Sequence, residues 1–236
     1  MATKPPIDVH EGMIERHLGR NRETGERIED PAIGGLARAM KLAREKAATM
    51  AAVSDDVMAD TTQTPAANAI RAHKRILDLA NEVTAALDKA RDHARAEVAK
   101  IEQETSAPPV PRDAASLQLE GETRTWLRTL PDDKRAAAVE TALNAGDDLT
   151  VGALLRGPAG LSGISPATRE LYRGQWRERR FPDQTARMRR IGKAVADVER
   201  GGKALLRFVR DLTESPTAQI AAAAQERAAK TLQAAE

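Results

Sequence analysis

Residues 65–104 read PAANAIRAHKRILDLANEVTAALDKARDHARAEVAKIEQE, and their spacing decides the fold class. Apolar or small residues recur at Ile76, Ala80, Val83, Leu87, Ala90, Ala94, Val98 and Ile101, in steps of three and four. That is the heptad spacing which keeps one stripe of a helix against a neighbour. Thr64-Pro65 opens the run as an N-cap followed by proline, where the missing N–H costs nothing and φ is preset. A helix over this range is about 60 Å long at its rise per residue. Pro31 to Val57, behind an Asp30 cap, repeats the pattern at Leu36, Met40, Ala43, Ala47, Met50 and Val57. The polar turn from Ala59 to Thr64 makes the two helices antiparallel neighbours. The seam residues expected to form an interface are Met40, Met50, Ile76, Val83, Leu87, Val98 and Ile101. The second helix is the longer, so part of its seam lacks a partner within the hairpin.

On the N-terminal side, residues 1–30 are polar and mixed in charge, an arm with one weak helix around Ile7, Ile14 and Leu18. On the other side, Thr105-Ser106-Ala107-Pro108-Pro109-Val110-Pro111 reads as a stiff, extended linker over 105–112. Every aromatic residue lies beyond it: Trp126, Tyr172, Trp176, Phe181 and Phe208. Shorter helices are expected near Asp113–Leu130, Pro131–Asn144, Leu149–Leu155 and Pro166–Arg180, then a longer one over Gln184–Leu212. The last carries a third seam, Met188, Ile191, Val195, Val198, Gly202, Leu205, Val209 and Leu212, with Gly201-Gly202 marking a bend or a close contact. Ser215-Pro216 caps an alanine-rich helix over 215–236. The reading is all-α and elongated: a long antiparallel coiled-coil hairpin over 31–104, the linker, a small helical bundle over 113–214 with a basic face, and the tail helix. No strand is expected.

Composition excludes most alternatives. Of 236 residues, 45 are alanine and only five are aromatic. Burial contributes in proportion to apolar area, at about 25 cal/mol per Å², so such a chain suits helices packed closely along their length. Sandwiches, barrels and nucleotide-binding α/β domains need β-branched and aromatic strands that this chain lacks. There are no cysteines, which removes disulfides, thiolate nucleophiles and cysteine-held metals. No apolar run approaches the roughly 20 residues of a membrane span, and Met1-Ala2-Thr3-Lys4-Pro5-Pro6 lacks the apolar stretch of a signal peptide. The net charge of +2 gives no strong whole-molecule attraction to nucleic acid.

The chemistry-bearing motifs are sparse. His10 and His17 stand seven apart where a helical zinc motif needs four. Ser162, in Gly160-Leu161-Ser162-Gly163, has no histidine after it in the chain, so the hydrolase order of serine, acid and histidine cannot be built. Gly192-Lys193 and Gly201-Gly202-Lys203 follow no strand and lack the rest of a phosphate loop. Asp55, Asp56 and Asp60 oppose the dipole at the end of the first long helix and mark its stop. No catalytic residue, metal site or cofactor is therefore expected.

The strongest local signal is basic. From Arg169 to Arg210 there are thirteen basic and five acidic residues, a local excess of eight positive charges. Its candidate nucleic-acid contacts are Arg173, Arg177, Arg179, Arg180, Arg187, Arg189, Arg190 and Lys193, with Tyr172 and Trp176 four apart on one face. Arginines with interleaved aromatics can hold phosphates and stack bases. The other reading makes Tyr172, Trp176 and Phe181 the anchors of a small core with arginines on its wet side.

Ala142-Leu143-Asn144-Ala145-Gly146-Asp147, Leu154-Leu155, Gly160-Leu161-Ser162-Gly163-Ile164-Ser165 and Leu171-Tyr172-Arg173 together resemble a helical segment of uncharacterised phage and prophage proteins. The resemblance covers residues 142–182 and contains no catalytic motif. It implies a phage-encoded helical protein of virion or assembly gene blocks, located in the bacterial cytoplasm during assembly and then in the particle. The expected function is structural and non-enzymatic, with copies of itself or other assembly subunits as partners. Seams and arms would make the contacts. The rival expectation is DNA binding without sequence preference by the Arg169–Arg210 face, in genome packaging or delivery.

Overall fold

The computed structural model describes residues 3–21, 23–214, 223, 224 and 227. The protein is all-α. Its elements run α1 (Gly12–Glu15), β1 (Gly19–Arg20), β2 (Arg27–Ile28), α2 (Pro31–Ala59), α3 (Pro65–Glu104), α4 (Ala114–Thr129), α5 (Asp132–Ala145), α6 (Asp148–Arg156), a 3₁₀ turn (Ala159–Ser162), α7 (Pro166–Arg180) and α8 (Pro182–Thr213). The strands were not expected. They are a two-residue antiparallel pair in which Gly19 faces Ile28 and Arg20 faces Arg27. The alanine-rich helix expected over 215–236 lies outside the described residues but for Ala223, Ala224 and Arg227.

Capping accounts for where the helices begin. Asp30 accepts from the backbone N–H groups of Ala32 and Ile33 at 3.0 and 3.4 Å, Thr64 from that of Ala67 at 3.2 Å and Ser165 from that of Thr168 at 3.0 Å. Each stands before a proline, so a side chain satisfies a free donor just where the ring removes another. The helix α2 stops at Ala59, in the acidic stretch that opposes its dipole.

The chain divides into two compact units: residues up to Glu97 with those from Arg190 onward, and Val98–Arg189. These divisions differ from those suggested by composition. The helices α3 and α8 run unbroken through Glu97–Val98 and Arg189–Arg190, where neither pair contains a helix breaker. The proline segment expected as a linker over 105–112 belongs to the second unit and is docked there, with Thr105 and Pro108 buried. Arg156 donates to the carbonyls of Pro108 and Pro109 at 2.6 and 2.8 Å, and Arg173 to that of Ser106 at 2.9 Å. Proline offers a carbonyl and no N–H, so arginine is a natural partner for it.

In the first unit, the fully buried side chains include Ile33, Leu36, Met40 and Met50 of α2, Ile76, Leu79 and Val83 of α3, and Ile191 of α8. The helix α8 lies against α2 so closely that a Cβ on Gly201 would stand 2.6 Å from Met40 Cε and 3.0 Å from the Asp8 carbonyl oxygen. The expected close contact is therefore real, but Gly201 makes it. Gly202, the residue placed in the third seam, faces open space. Residues 3–21, expected as part of an arm, are docked on the chain's own helices. Val9 and Ile14 are buried, Glu11 pairs with Arg44 at 2.7 Å, and Thr3 donates to Asp55.

The second unit packs α4, α5, α6, α7 and the 3₁₀ turn around α6, which is buried from Thr150 to Leu155. Its core joins Leu127, Val139, Leu143, Val151, Leu154, Leu155 and Trp176. Trp176 meets Phe181 edge-on, with ring centroids 5.2 Å apart and planes at 75°, and Tyr172 packs against the same cluster. The aromatics of α7 are thus core anchors. Each large side chain buried here contributes about 2 kcal/mol.

Candidate functional site

The basic set divides between the units, with Arg173, Arg177, Arg179, Arg180, Arg187 and Arg189 in the second and Arg190 and Lys193 in the first. Several of these arginines are engaged within the chain. Arg173 also donates to the Leu155 carbonyl at 3.3 Å and pairs with Glu170. Arg177 reaches the carbonyls of Thr105 and Glu102 at 3.3 and 3.5 Å. Arg189 pairs with Glu178, Arg187 is partly buried and partnered, and the Arg190 guanidinium lies against Gly19. Arg179, Arg180 and Lys193 are exposed. The first two line a cavity of about 470 Å³ with Asn144, Gly146, Asp148 and Trp176. Trp176 is buried in the core, so the arrangement offers guanidinium donors without a free stacking face.

The buried carboxylates of Glu120 and Asp197 each gather several basic groups. Glu120 on α4 receives Arg124 at 2.7 Å and Arg156 at 2.6 Å. Gly152 makes this possible, since the Arg156 guanidinium folds back over it where a Cβ would stand 2.0 Å away. Asp197 on α8, only 4% exposed, receives Arg16 and His17 at 2.7 Å on Oδ2 and Arg200 at 2.9 Å on Oδ1. Burial raises the Asp197 carboxyl, but the hydrogen bonds from His17 and Arg16 and the charges of Arg16 and Arg200 outweigh it and hold the group below the usual carboxylate range. Sequence spacing missed this cluster. Its signal was an acid set among Ala194, Val198 and Gly201 on the inward face of α8. Arg135, also buried, donates to the carbonyls of Leu127, Leu130 and Gly163 and fastens the end of α4 to the 3₁₀ turn.

The expected seam residues Met40, Met50, Ile76, Val83, Leu87 and Ile101 are all buried within a single chain, and Val98 is partly buried. In the first unit, α8 packs on the hairpin, where Gly201 stands against Met40 of α2. Exposed apolar side chains stand elsewhere, and sequence reasoning missed them. In the second unit they include Leu117, Leu119, Leu161, Leu171 and Trp126, which is 48% exposed. Leu119 and Trp126 are seven apart, on one face of α4 away from buried Leu127. That spacing is visible in the sequence, but spacing alone does not show which face of α4 the rest of the chain covers.

The remaining polar candidates have structural places. His10 Nδ1 accepts from the Gly12 backbone N–H at 2.9 Å. Ser162 is fully buried in the 3₁₀ turn. Among the described residues no group of three or more His, Cys, Asp or Glu is placed to hold a metal ion, and no helix is long and apolar enough to cross a membrane. No family model, curated protein or solved structure matches the chain.

Proposed function

We propose that the protein is a non-enzymatic assembly subunit, with copies of itself or other subunits as partners. The observation that carries this is the exposed apolar surface of the second unit, where Leu119 and Trp126 share one face of α4. A half-exposed tryptophan in a chain with five aromatics is the kind of anchor that dominates protein interfaces. The coiled-coil reading of α2 and α3 supports the same function, as a rigid support onto which α8 packs. The resemblance of residues 142–182 to phage and prophage proteins favours a phage particle or its assembly machinery as the setting. Replacing Leu119 and Trp126 together with glutamate tests the surface. The expected result is weaker association of the full chain at unchanged helicity; association equal to wild type overturns the assignment.

A second reading is favoured by Arg179 and Arg180 of the second unit, which are exposed and available to hold a phosphate backbone. It requires DNA affinity that falls steeply with salt and falls further when Arg179 and Arg180 become glutamate.

A further inference from the structure

We propose that two copies of this chain pair antiparallel through the outer face of α8, each seating Leu206 in the groove that the other presents between α3 and α8. The proposal rests on the assembly reading and names one partner, the chain itself. The groove has a volume of about 310 Å³ and a mainly apolar lining that includes Leu87, Val198, Gly202, Leu205 and Leu206. At Gly202 a Cβ would meet nothing within 4 Å, so the groove is open there. One helical turn on, Leu206 is 59% exposed. Residues four apart on a helix share a face, so each copy carries a protruding side chain beside an open notch.

A two-fold axis across α8 near Ala204 makes these features self-complementary, as a symmetric dimer requires. Counting residues in opposite directions from that axis sets Leu206 of each copy over Gly202 of the other. It also sets Glu199 within one residue of Arg210 of the other copy, so acid meets base at both ends of the contact. Both side chains are exposed and have only surface partners within the chain, Arg95 at 2.7 Å and Glu214 at 3.9 Å. Exposed pairs of that kind contribute little and exchange readily. The charged residues of the groove wall balance, Asp88 and Glu199 against Arg91 and Lys203, so it offers no positive excess to draw a nucleic acid or an anionic lipid.

Sedimentation equilibrium of the full chain, with helicity followed by circular dichroism, tests the pairing. Wild type is expected to associate in dimers or multiples of two. Leu206→Glu removes the protruding side chain and Gly202→Leu fills the notch, and neither residue is needed in the core. Each is expected to weaken association about tenfold or more at unchanged helicity. Glu199→Arg and Arg210→Glu should each weaken it, and the double reversal should restore it. A monomeric wild type at every concentration overturns the dimer, while leaving assembly with other subunits standing. Association that survives Leu206→Glu and Gly202→Leu but is lost on replacing Leu119 and Trp126 overturns the α8 contact and keeps the α4 surface.

Discussion

Asp197 is a charge engaged entirely within the chain. Its carboxylate holds Arg16, His17 and Arg200 at once and ties the N-terminal segment to α8 within the first unit. Because its folded pKa lies below the ordinary value, its contribution is full above about pH 4 and is lost as pH falls further, toward the folded value. Asp197→Asn weakens the hydrogen bonds that Arg16, His17 and Arg200 make to a charged acceptor and should cost about 2 kcal/mol at neutral pH. It should also lose less stability than wild type between pH 5 and about pH 2. Urea midpoints of both proteins across that range check this, and parallel acid curves would contradict it. Arg173 and Arg177 make the same point for the basic set. Counted along the chain they belong to a positive face, but in the fold their guanidinium groups hold the carbonyls of 102–106. Charge counting registers residues and cannot register which charges are already partnered.

At the scale of elements, α8 carries the clearest contrast. Gly201 and Gly192 both lie within the helix, yet a Cβ at the first would press on Met40 and the Asp8 carbonyl, and at the second would meet nothing within 4 Å. Gly201→Ala is therefore expected to destabilise by about 1–3 kcal/mol through overpacking, and Gly192→Ala to stabilise by about 0.5–1 kcal/mol through helix propensity. Thermal or urea unfolding of the two variants checks the opposite signs. The elements were largely legible in the sequence, because proline and a capping side chain mark a helix start through local chemistry. Asp30, Thr64 and Ser165 all cap where their spacing placed them. The periodic burial of α2 and α3 was legible too. What buries those stripes was not, because a heptad seam looks the same whether its partner is another chain or α8, more than a hundred residues away. The proline segment misled for a related reason: Pro108 and Pro109 are local signals for an extended chain, whereas their docking depends on Arg156, distant in sequence.

At the scale of the whole molecule, the reading as an assembly subunit rests on what remains exposed once the chain has satisfied itself. The seam side chains are largely buried and the two acidic centres are saturated with arginine. Leu119 and Trp126 on α4 and Leu206 on α8 remain exposed. The exposed Arg179 and Arg180 support the competing nucleic-acid reading, and salt separates the two, since phosphate contacts weaken steeply as ionic strength rises while apolar contacts persist. The most direct measurement is sedimentation velocity of the purified full chain at low and high salt, with absorbance followed at both 260 and 280 nm. A salt-resistant oligomer free of nucleic acid is the expected result. A monomer that carries nucleic acid at low salt and releases it at high salt would contradict it.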